Sequence, residues 1–323
     1  MTAALVPAPD DLAALEQAVQ TALRGDGTKG LDVLGYGEIS CVVSWRGFAY
    51  KRLPPFDARV RAESYRACFD HYLGLLRARG VTAVESHFVL VDGAAGGCVA
   101  YCAQPVLARE SILPAVLRRV SPRKGEAIFE RILDHIESCL DGRTGLDAQV
   151  SNWTADEAGQ LRYLDLTTPL FRDDSGREAL DTNLFVAALP RLVRGFVRGF
   201  LLGSILGKYY DRRLAVLDVL GSLYSERLER LIPSWLEHAN RRLAEPLDER
   251  AVRRYHRADA RTWALVQELA IFERFWTRTV HRQVYPVLLA DRRARPSQLG
   301  ALAVTAVVCS DGPSAPRDDK DQR

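Results

Sequence analysis

The chain has 323 residues, 47% of them hydrophobic and 26% charged, an ordinary globular composition that excludes wholesale disorder. The 44 Lys and Arg against 41 Asp and Glu leave a net charge of +3, too weakly basic for a dedicated nucleic-acid binder. The length allows one large domain or two lobes with a shared interface. We therefore expect no nucleic-acid partner, and a core large enough to need no disulfide or metal.

The start of the chain and its most apolar stretch predict where the protein resides. The first residues lack the basic start and apolar run of a secretion signal. The most apolar segment, 195–206, is interrupted by Arg198 and is too short to span a bilayer. The six cysteines show no metal-ligand spacing and are interpreted as reduced thiols. These features predict a cytoplasmic protein without stable membrane insertion, and they leave the oligomeric state open.

The first third of the chain alternates between helix and strand patterns. Apolar residues at helical spacing predict a helix from Asp10 or Asp11 through Arg24, and a second one from Ala58 to Arg79. Alternating apolar runs bounded by turn residues predict strands at 31–34, 41–45, 48–53, 87–91 and 98–105. Gly35 to Gly37 is predicted to be a turn.

After Ser111 the pattern is mostly helical. The exception is a short β-like insert at 149–154 and 161–166, and residues 181–292 are predicted to be nearly all helix. The predicted domains are an N-terminal helical extension (1–29), a small sheet lobe (30–106), a helical lobe (107–295) and a partly disordered tail (296–323).

Two features in the sheet region have the chemistry of a phosphate site. The segment Gly35-Tyr36-Gly37-Glu38-Ile39-Ser40 lies between two predicted strands, where glycines let backbone N–H groups approach phosphate oxygens, or it is an ordinary hairpin turn. Lys51 lies in the apolar strand that follows, and a covered lysine needs an anionic partner. Glu63 on the next helix is the candidate partner; the alternative is that Lys51 lies on a solvent-facing edge.

Two further features follow in the helical region. Asp147 and Asn152 have the spacing D-x-x-x-x-N, in which the carboxylate can deprotonate an attacking hydroxyl and the amide oxygen can bind a metal. Asp165 stands at the end of the predicted strand that comes next, where a carboxylate suits Mg²⁺ bridging two phosphates. Each aspartate alone has the alternative of a turn or cap residue.

Taken in order, these residues resemble the protein-kinase-like fold, in particular its aminoglycoside and choline phosphotransferase branch. That branch typically has H-G-D-x-x-x-x-N, a hairpin, and a strand that ends in Asp. This chain has Gly145-Leu146-Asp147 through Asn152, and later Tyr163-Leu164-Asp165. The resemblance covers roughly residues 30 to 290 and implies an α+β, two-lobed fold with a small antiparallel-sheet lobe and a larger, mainly helical lobe.

The resemblance also implies the roles of the residues. Asp147 would be the catalytic base, and Asn152 and Asp165 would bind Mg²⁺. Residues 100–105 would form the hinge beside the adenine of ATP, through backbone N–H and C=O groups. The implied contacts to ATP come from Gly35, Tyr36, Gly37, Ser40, Lys51, Glu63, Cys102 and Gln104.

Departures from the motif keep three functions open. Gly145 replaces the histidine of H-G-D, Thr167 stands where D-F-G has its glycine, and Glu38 would put negative charge near the phosphates. The main expectation is an ATP- and Mg²⁺-dependent phosphotransferase that acts on a hydroxyl of a small molecule or of a peptide Ser or Thr. The alternatives are a pseudokinase that serves as a binding or scaffold module, and a kinase-fold enzyme that transfers AMP.

The resemblance implies that the acceptor binds against the helical lobe, as is usual in the small-molecule kinases. Arg191, Arg194 and Arg198 share one helical face, which either meets an anionic acceptor, a peptide or a membrane surface, or is a solvated helix face. The other candidate groups on the acceptor side are Asp173, Asp174, Lys208, Tyr209, Tyr210 and Asp211.

Overall fold

A five-stranded antiparallel sheet lies in the N-terminal part of the chain, with the strand order β1-β2-β3-β5-β4. Its strands are β1 (Asp32–Tyr36), β2 (Cys41–Trp45), β3 (Phe48–Arg52), β4 (His87–Asp92) and β5 (Cys98–Pro105). The connection from β3 to β4 contains the helix α2 (Arg59–Ala78), and β5 lies between these two strands. The fold is therefore α+β, with β3 in the middle of the sheet.

The structure is a computed structural model that describes residues 7–25, 30–36, 41–93, 97–188, 194–195, 202–280, 282 and 284–285. The part after the sheet is mainly helical. Its helices are α3 (Leu113–Arg119), α4 (Pro122–Cys139), α5 (Thr182–Ala188), α6 (Leu202–Gly207), α7 (Arg212–Ser225), α8 (Ile232–Asn240) and α9 (Glu249–Thr279). A two-stranded hairpin, β6 (Trp153–Ala155) with β7 (Leu161–Tyr163), interrupts them. Across these ranges, no helix has the length and apolar character needed to cross a bilayer.

The first helix, α1 (Pro9–Arg24), covers one face of the sheet. Its buried Leu15 and Val19 belong to the same apolar cluster as Val43 and Tyr50 of the sheet. Helices start readily with proline because its missing N–H would be unpaired there anyway. The segment predicted as an N-terminal extension is thus part of the packed sheet region.

The second helix, α2, lies on the sheet's other face and faces the helical part. Tyr65, Phe69 and Tyr72 are buried on one side of α2, at the three- and four-residue spacing that places side chains on one face. They belong to one continuous core that also contains Phe129 of α4 and Trp153 of β6. One hydrophobic core therefore joins the sheet to the helices.

The strand predictions are largely confirmed, although several strand ends differ; β7, for example, ends at Tyr163 and not at residue 166. β2 and β5 have the predicted bounds, whereas Gly35 and Tyr36 pair with β2 and belong to β1 rather than to a turn. A bulge between Val33 and Gly35 permits this longer strand, since glycine tolerates such a backbone irregularity. The expected strand at 149–154 is wrong for its first part: 150–152 is a 3-10 turn, because local side-chain-to-backbone hydrogen bonds compete with strand pairing.

Candidate functional site

An ion pair between Lys51 and Asp165 lies at the centre of the candidate site. Lys51 Nζ donates to Asp165 Oδ1 at 2.9 Å, and the two side chains are only 16% and 13% exposed. Strands β2 and β5 flank β3 and fix the backbone of Lys51 on both sides. A largely buried ammonium needs an anionic partner, and Asp165 of the helical part supplies it. The structure thus brings together two of the predicted site residues.

The turn after Asp165 fixes the direction of its carboxylate. Asp165 Oδ1 accepts hydrogen bonds from the backbone N–H of Thr167 at 3.2 Å and from Thr167 Oγ1 at 2.8 Å. In turn, Tyr65 Oη on α2 donates to the carbonyl oxygen of Thr167 at 2.7 Å. The residue that replaces the motif's glycine therefore supplies two donors to the predicted metal ligand.

The predicted pair between Lys51 and Glu63 is not formed. The Glu63 side chain is 57% exposed and accepts a hydrogen bond from Arg59 Nε one helical turn earlier, at 3.3 Å. Glu63 lies on the outer side of α2, whereas the buried tyrosines on the opposite side face the site. Asp165 takes the place of Glu63 as the partner of the lysine.

The D-x-x-x-x-N segment forms a compact turn beside Asp165. Asn152 is fully buried, and its Nδ2 donates to the backbone carbonyl of Asp147 at 3.1 Å. The backbone carbonyl of Asn152 accepts from the N–H of Leu164 at 2.9 Å, which places the Asn152 segment against the residue before Asp165. The two predicted metal ligands therefore lie on neighbouring segments.

The oxygen atoms offered by these segments fit Mg²⁺ bound together with phosphates. Asn152 Oδ1 is buried and has no hydrogen-bond partner, and an unpaired buried acceptor needs an explanation such as a cation. The described ranges contain no group of three or more His, Cys, Asp or Glu that could hold a metal ion. Mg²⁺ commonly takes one or two protein oxygens and completes its shell with water and phosphate, so one carboxylate and one amide suffice.

Asp147 carries the electrostatic character expected of a proton acceptor. Burial raises the pKa of Asp147 to about 7; the Asp218 carboxylate adds to this rise and the Lys208 ammonium opposes it. A carboxylate whose pKa is near neutrality can accept a proton at physiological pH and release it afterwards. The predicted base thus combines a carboxylate with an environment that favours proton uptake.

Gly145, which stands where the motif has histidine, is tightly packed. A Cβ there would lie 3.0 Å from the carbonyl oxygen of Tyr209 and 3.1 Å from the Tyr210 ring. Its backbone N–H donates to Leu170, and its carbonyl oxygen accepts from Tyr72 Oη at 3.0 Å. This position has no room for a side chain, so the helical part occupies the space that a histidine would need.

The predicted phosphate loop is described only at its start. Gly35 and Tyr36 are residues of β1, and Tyr36 pairs with Cys41 of β2. Gly37 and Ser40, together with Glu38, lie outside the described residues. The role of residues 35–40 in phosphate binding stays a prediction.

The predicted hinge residues lie within the sheet. Cys102 pairs with Lys51 on one side and with Phe88 on the other, so its backbone lies inside the sheet, and its contact with adenine stays a prediction. Gln104 is buried, and its side chain donates to the carbonyl oxygen of Leu164 at 2.9 Å. Gln104 therefore connects β5 to the residue before Asp165.

Most of the described acceptor-side candidates are engaged in structural contacts. Asp211 caps α7 by accepting from the backbone N–H of Leu214 at 2.8 Å. Asp173 accepts from Ser175 and Arg177 within its own turn. Within the proposed stripe, Arg191 and Arg198 lie outside the described residues.

Lys208 belongs to a buried polar cluster that the sequence did not predict. It is buried next to Asp218 of α7, at a distance of 3.2 Å between Lys208 Nζ and Asp218 Oδ1. Tyr255 Oη on α9 donates to the same Asp218 oxygen at 2.6 Å. One sequence feature could have indicated this cluster: Asp218 is a single aspartate within the apolar run of α7, where a carboxylate requires buried partners.

Comparison with known proteins yields one family. The model of a family described as "Family of unknown function (DUF6206)" matches residues 14–274, which span most of the sheet region and the helices through α9. No curated protein matches the chain.

Proposed function

The chain belongs to the family of unknown function DUF6206, and we propose that it is a phosphotransferase that uses ATP and Mg²⁺ to phosphorylate a hydroxyl group. The acceptor is a small molecule or a Ser or Thr of a peptide. In this proposal the sheet region and the helical part are the two lobes of a protein-kinase-like fold, with the nucleotide between them. The α+β architecture, with its small antiparallel sheet, is compatible with that arrangement.

One observation carries the proposal: a lysine, a carboxylate and an unpaired amide oxygen occur on adjoining segments. Lys51 is bonded to Asp165, and Asn152, with its free Oδ1, is bonded to the residue before that aspartate. A cation next to oxygen ligands is what binding of metal-bridged phosphates requires. Lys51 is far from the other two groups in sequence, 114 positions before Asp165, so the tertiary fold and not local structure brings it there.

The roles follow from the chemistry of each group. When bound, Mg²⁺ would be held by Asn152 and Asp165 and would neutralise the charge of the phosphates. Lys51 would bind the α- and β-phosphates with its ammonium. The hydrogen bonds from Thr167 keep the Asp165 carboxylate oriented while the lysine contacts the nucleotide.

Asp147 would take the proton of the acceptor. As the hydroxyl oxygen forms a bond to the γ-phosphorus and the bond from phosphorus to the ADP oxygen breaks, the hydroxyl proton passes to the Asp147 carboxylate. The raised pKa of Asp147 favours this uptake. Positioning and charge neutralisation make up most of the catalysis that phosphoryl transfer requires.

A binding module of the pseudokinase type is the second candidate. The packing around Gly145 favours it, because the motif's histidine cannot be accommodated there. Such a protein would bind its partner without Asp147, and its nucleotide binding would be weak or independent of metal. Transfer of AMP rests on Glu38, which lies outside the described residues.

Thermal unfolding with ATP, with and without Mg²⁺, tests the proposed nucleotide site. A ligand that binds only the folded state adds about 2.7 kcal/mol at ~100 times its dissociation constant, which gives a visible rise in Tm. We expect a Mg²⁺-dependent rise in the wild-type protein and none in Asp165→Ala. The matched control is Asp174→Ala, because this aspartate is fully exposed and should leave the rise unchanged.

Turnover separates the two candidate functions. We expect ADP formation from MgATP in the wild-type protein and its loss in Asp147→Asn. A metal-dependent Tm rise without any ADP formation, with water or with a panel of hydroxyl compounds, would support the binding module. No Tm rise with any nucleotide would overturn the proposed function.

A further inference from the structure

Gln149 contacts the proposed base through its backbone and a buried cluster through its side chain. Its backbone N–H donates to Asp147 Oδ1 at 3.4 Å. Its side-chain Nε2 donates to Asp218 Oδ2 at 3.0 Å. One residue therefore connects the carboxylate of the site with helix α7.

The cluster beyond Gln149 is formed by three segments of the helical part. Asp218 on α7 is 4% exposed, and Lys208, after α6, is 9% exposed. Lys208 Nζ lies 3.2 Å from Asp218 Oδ1 and 3.8 Å from a carboxylate oxygen of Asp259 on α9. Tyr255 Oη, also on α9, donates to Asp218 Oδ1 at 2.6 Å. Buried charges that are paired and hydrogen-bonded in this way form a rigid anchor.

The Asp147 carboxylate itself has little direct support. Within the described ranges, the recorded hydrogen bond to it is the long one from the N–H of Gln149. Its direction therefore depends on where the backbone of Gln149 lies. That backbone belongs to the residue just before the 150–152 turn, and the Gln149 side chain is half-buried and bonded to Asp218.

We propose that Gln149 is a positioning residue for Asp147, and that the Lys208–Asp218–Tyr255 cluster is the anchor against which it holds the carboxylate in line with the acceptor hydroxyl. This inference rests on the proposed function. Lys208 acts here through Asp218 and Gln149, and it does not bind the acceptor. Among the described contacts, the cluster reaches the site through Gln149 and Asp147, so we expect it to affect the acceptor side and not nucleotide binding.

Gln149→Met tests the anchor because it removes the side-chain donor while it keeps the backbone N–H and the length of the side chain. The probe is MgATP with water as the acceptor, followed by ADP formation. We expect kcat to fall by about 10- to 100-fold, the usual effect of a small displacement of a reacting group, with an unchanged Kd for MgATP. Gln160→Met, at an exposed position between β6 and β7, is the matched control and should leave both values unchanged.

A double-mutant cycle separates positioning from a general loss of structure. Gln149→Glu places two carboxylates face to face, and Asp218→Asn removes the charge that pairs with Lys208. Combined, they restore a hydrogen bond with its direction reversed, from the amide at position 218 to the carboxylate at position 149. We expect each single variant to be slow and the double variant to regain much of kcat, because the two residues act through one contact.

The outcomes distinguish this inference from the function on which it rests. Wild-type kcat in Gln149→Met, or additive losses in the cycle, would overturn the positioning role while the phosphotransferase proposal stands. A wild-type protein that binds MgATP without forming ADP, or full turnover in Asp147→Asn, would overturn the proposed function and this inference together.

Discussion

Glu16 and Arg52 form a buried bidentate ion pair that joins helix α1 to the sheet strand that carries Lys51. Arg52 Nη2 donates to Glu16 Oε1 at 2.8 Å and Arg52 Nε donates to Glu16 Oε2 at 3.0 Å. Burial alone would raise the pKa of Glu16, but the hydrogen bond and charge of Arg52 hold it below its ordinary value. Arg52 is the residue after Lys51, so α1 helps to fix the part of β3 that enters the candidate site.

The Glu16–Arg52 pair predicts a strong effect on stability. Glu16→Ala removes the carboxylate that pairs with the buried Arg52, and breaking a buried pair in this way costs about 3–5 kcal/mol. Urea unfolding should show this loss as a lower midpoint with an unchanged slope. The control is Glu249→Ala, whose exposed pair with Arg253 is worth about 0.3–0.5 kcal/mol. Equal losses in the two variants would contradict the role given to burial.

Lys51 and Glu63 should respond in opposite ways to substitution. Lys51→Met removes the cation bonded to Asp165, and we expect it to abolish the Mg²⁺- and ATP-dependent rise in Tm. Glu63→Gln should leave the rise intact, because Glu63 is exposed and bonded only to its helix neighbour Arg59 in the described contacts. Each rise is measured against the same variant without nucleotide. Loss of the rise in Tm in Glu63→Gln would instead support the predicted pair between Lys51 and Glu63.

Gly145 should resist the substitution that would complete the motif. In Gly145→Ala the new Cβ meets the backbone oxygen of Tyr209, and overpacking of this kind costs about 1–3 kcal/mol. Gly145→His should be less stable still. The matched control is Gly74→Ala, at an open position inside α2, which should stabilise the protein by about 0.5–1 kcal/mol. Thermal or urea unfolding measures the change in stability. We expect a decrease in the two Gly145 variants and an increase in Gly74→Ala.

Glu226 should make stability depend on pH. Burial raises the pKa of Glu226 to about 7, although the charge and hydrogen bond of Arg118 oppose the rise. The folded protein therefore holds this proton more tightly than the unfolded chain, whose glutamate titrates near 4.5. The stabilising contribution is complete below that value and is lost as the pH rises through about 7.

Glu226→Gln, which is neutral at every pH, removes this dependence. We expect the free energy of unfolding of the variant, relative to that of the wild type, to increase between about pH 5 and about pH 8. Glu249→Gln, at an exposed position, is the control and should show no such gain. A difference between Glu226→Gln and wild type that is constant over this range would show that Glu226 is ionised in the folded protein throughout.

Local patterns predicted much of the sheet. The tight turn at Arg46 and Gly47, both with positive φ, separates two apolar runs, and β2 and β5 have the predicted bounds. The end of β1 was missed because the pairing of Gly35 with Val42 depends on the neighbouring strand and not on the propensity of glycine.

Those parts of the candidate site that depend only on the order and spacing of residues along the chain could be predicted. The spacing of Asp147 and Asn152 and the position of Asp165 after a strand were sufficient to select residues that the fold brings together. The partner of Lys51 was not predictable from the sequence, because tertiary packing decides which side of α2 carries Glu63. The anchoring contact of Gln149 with Asp218 joins residues 69 positions apart, and no local pattern encodes such a contact.

The hydroxyls of Tyr65 and Tyr72 limit the order in which the protein can be assembled. Both are buried on α2, and their acceptors, the carbonyl oxygens of Thr167 and Gly145, follow 102 and 73 residues later. During synthesis the sheet region leaves the ribosome before these acceptors. Until they follow, the apolar face of α2 is exposed to solvent. A break at the predicted boundary after residue 106 should therefore yield two fragments that aggregate when they are expressed separately. Expressed together, the same fragments should recover soluble protein.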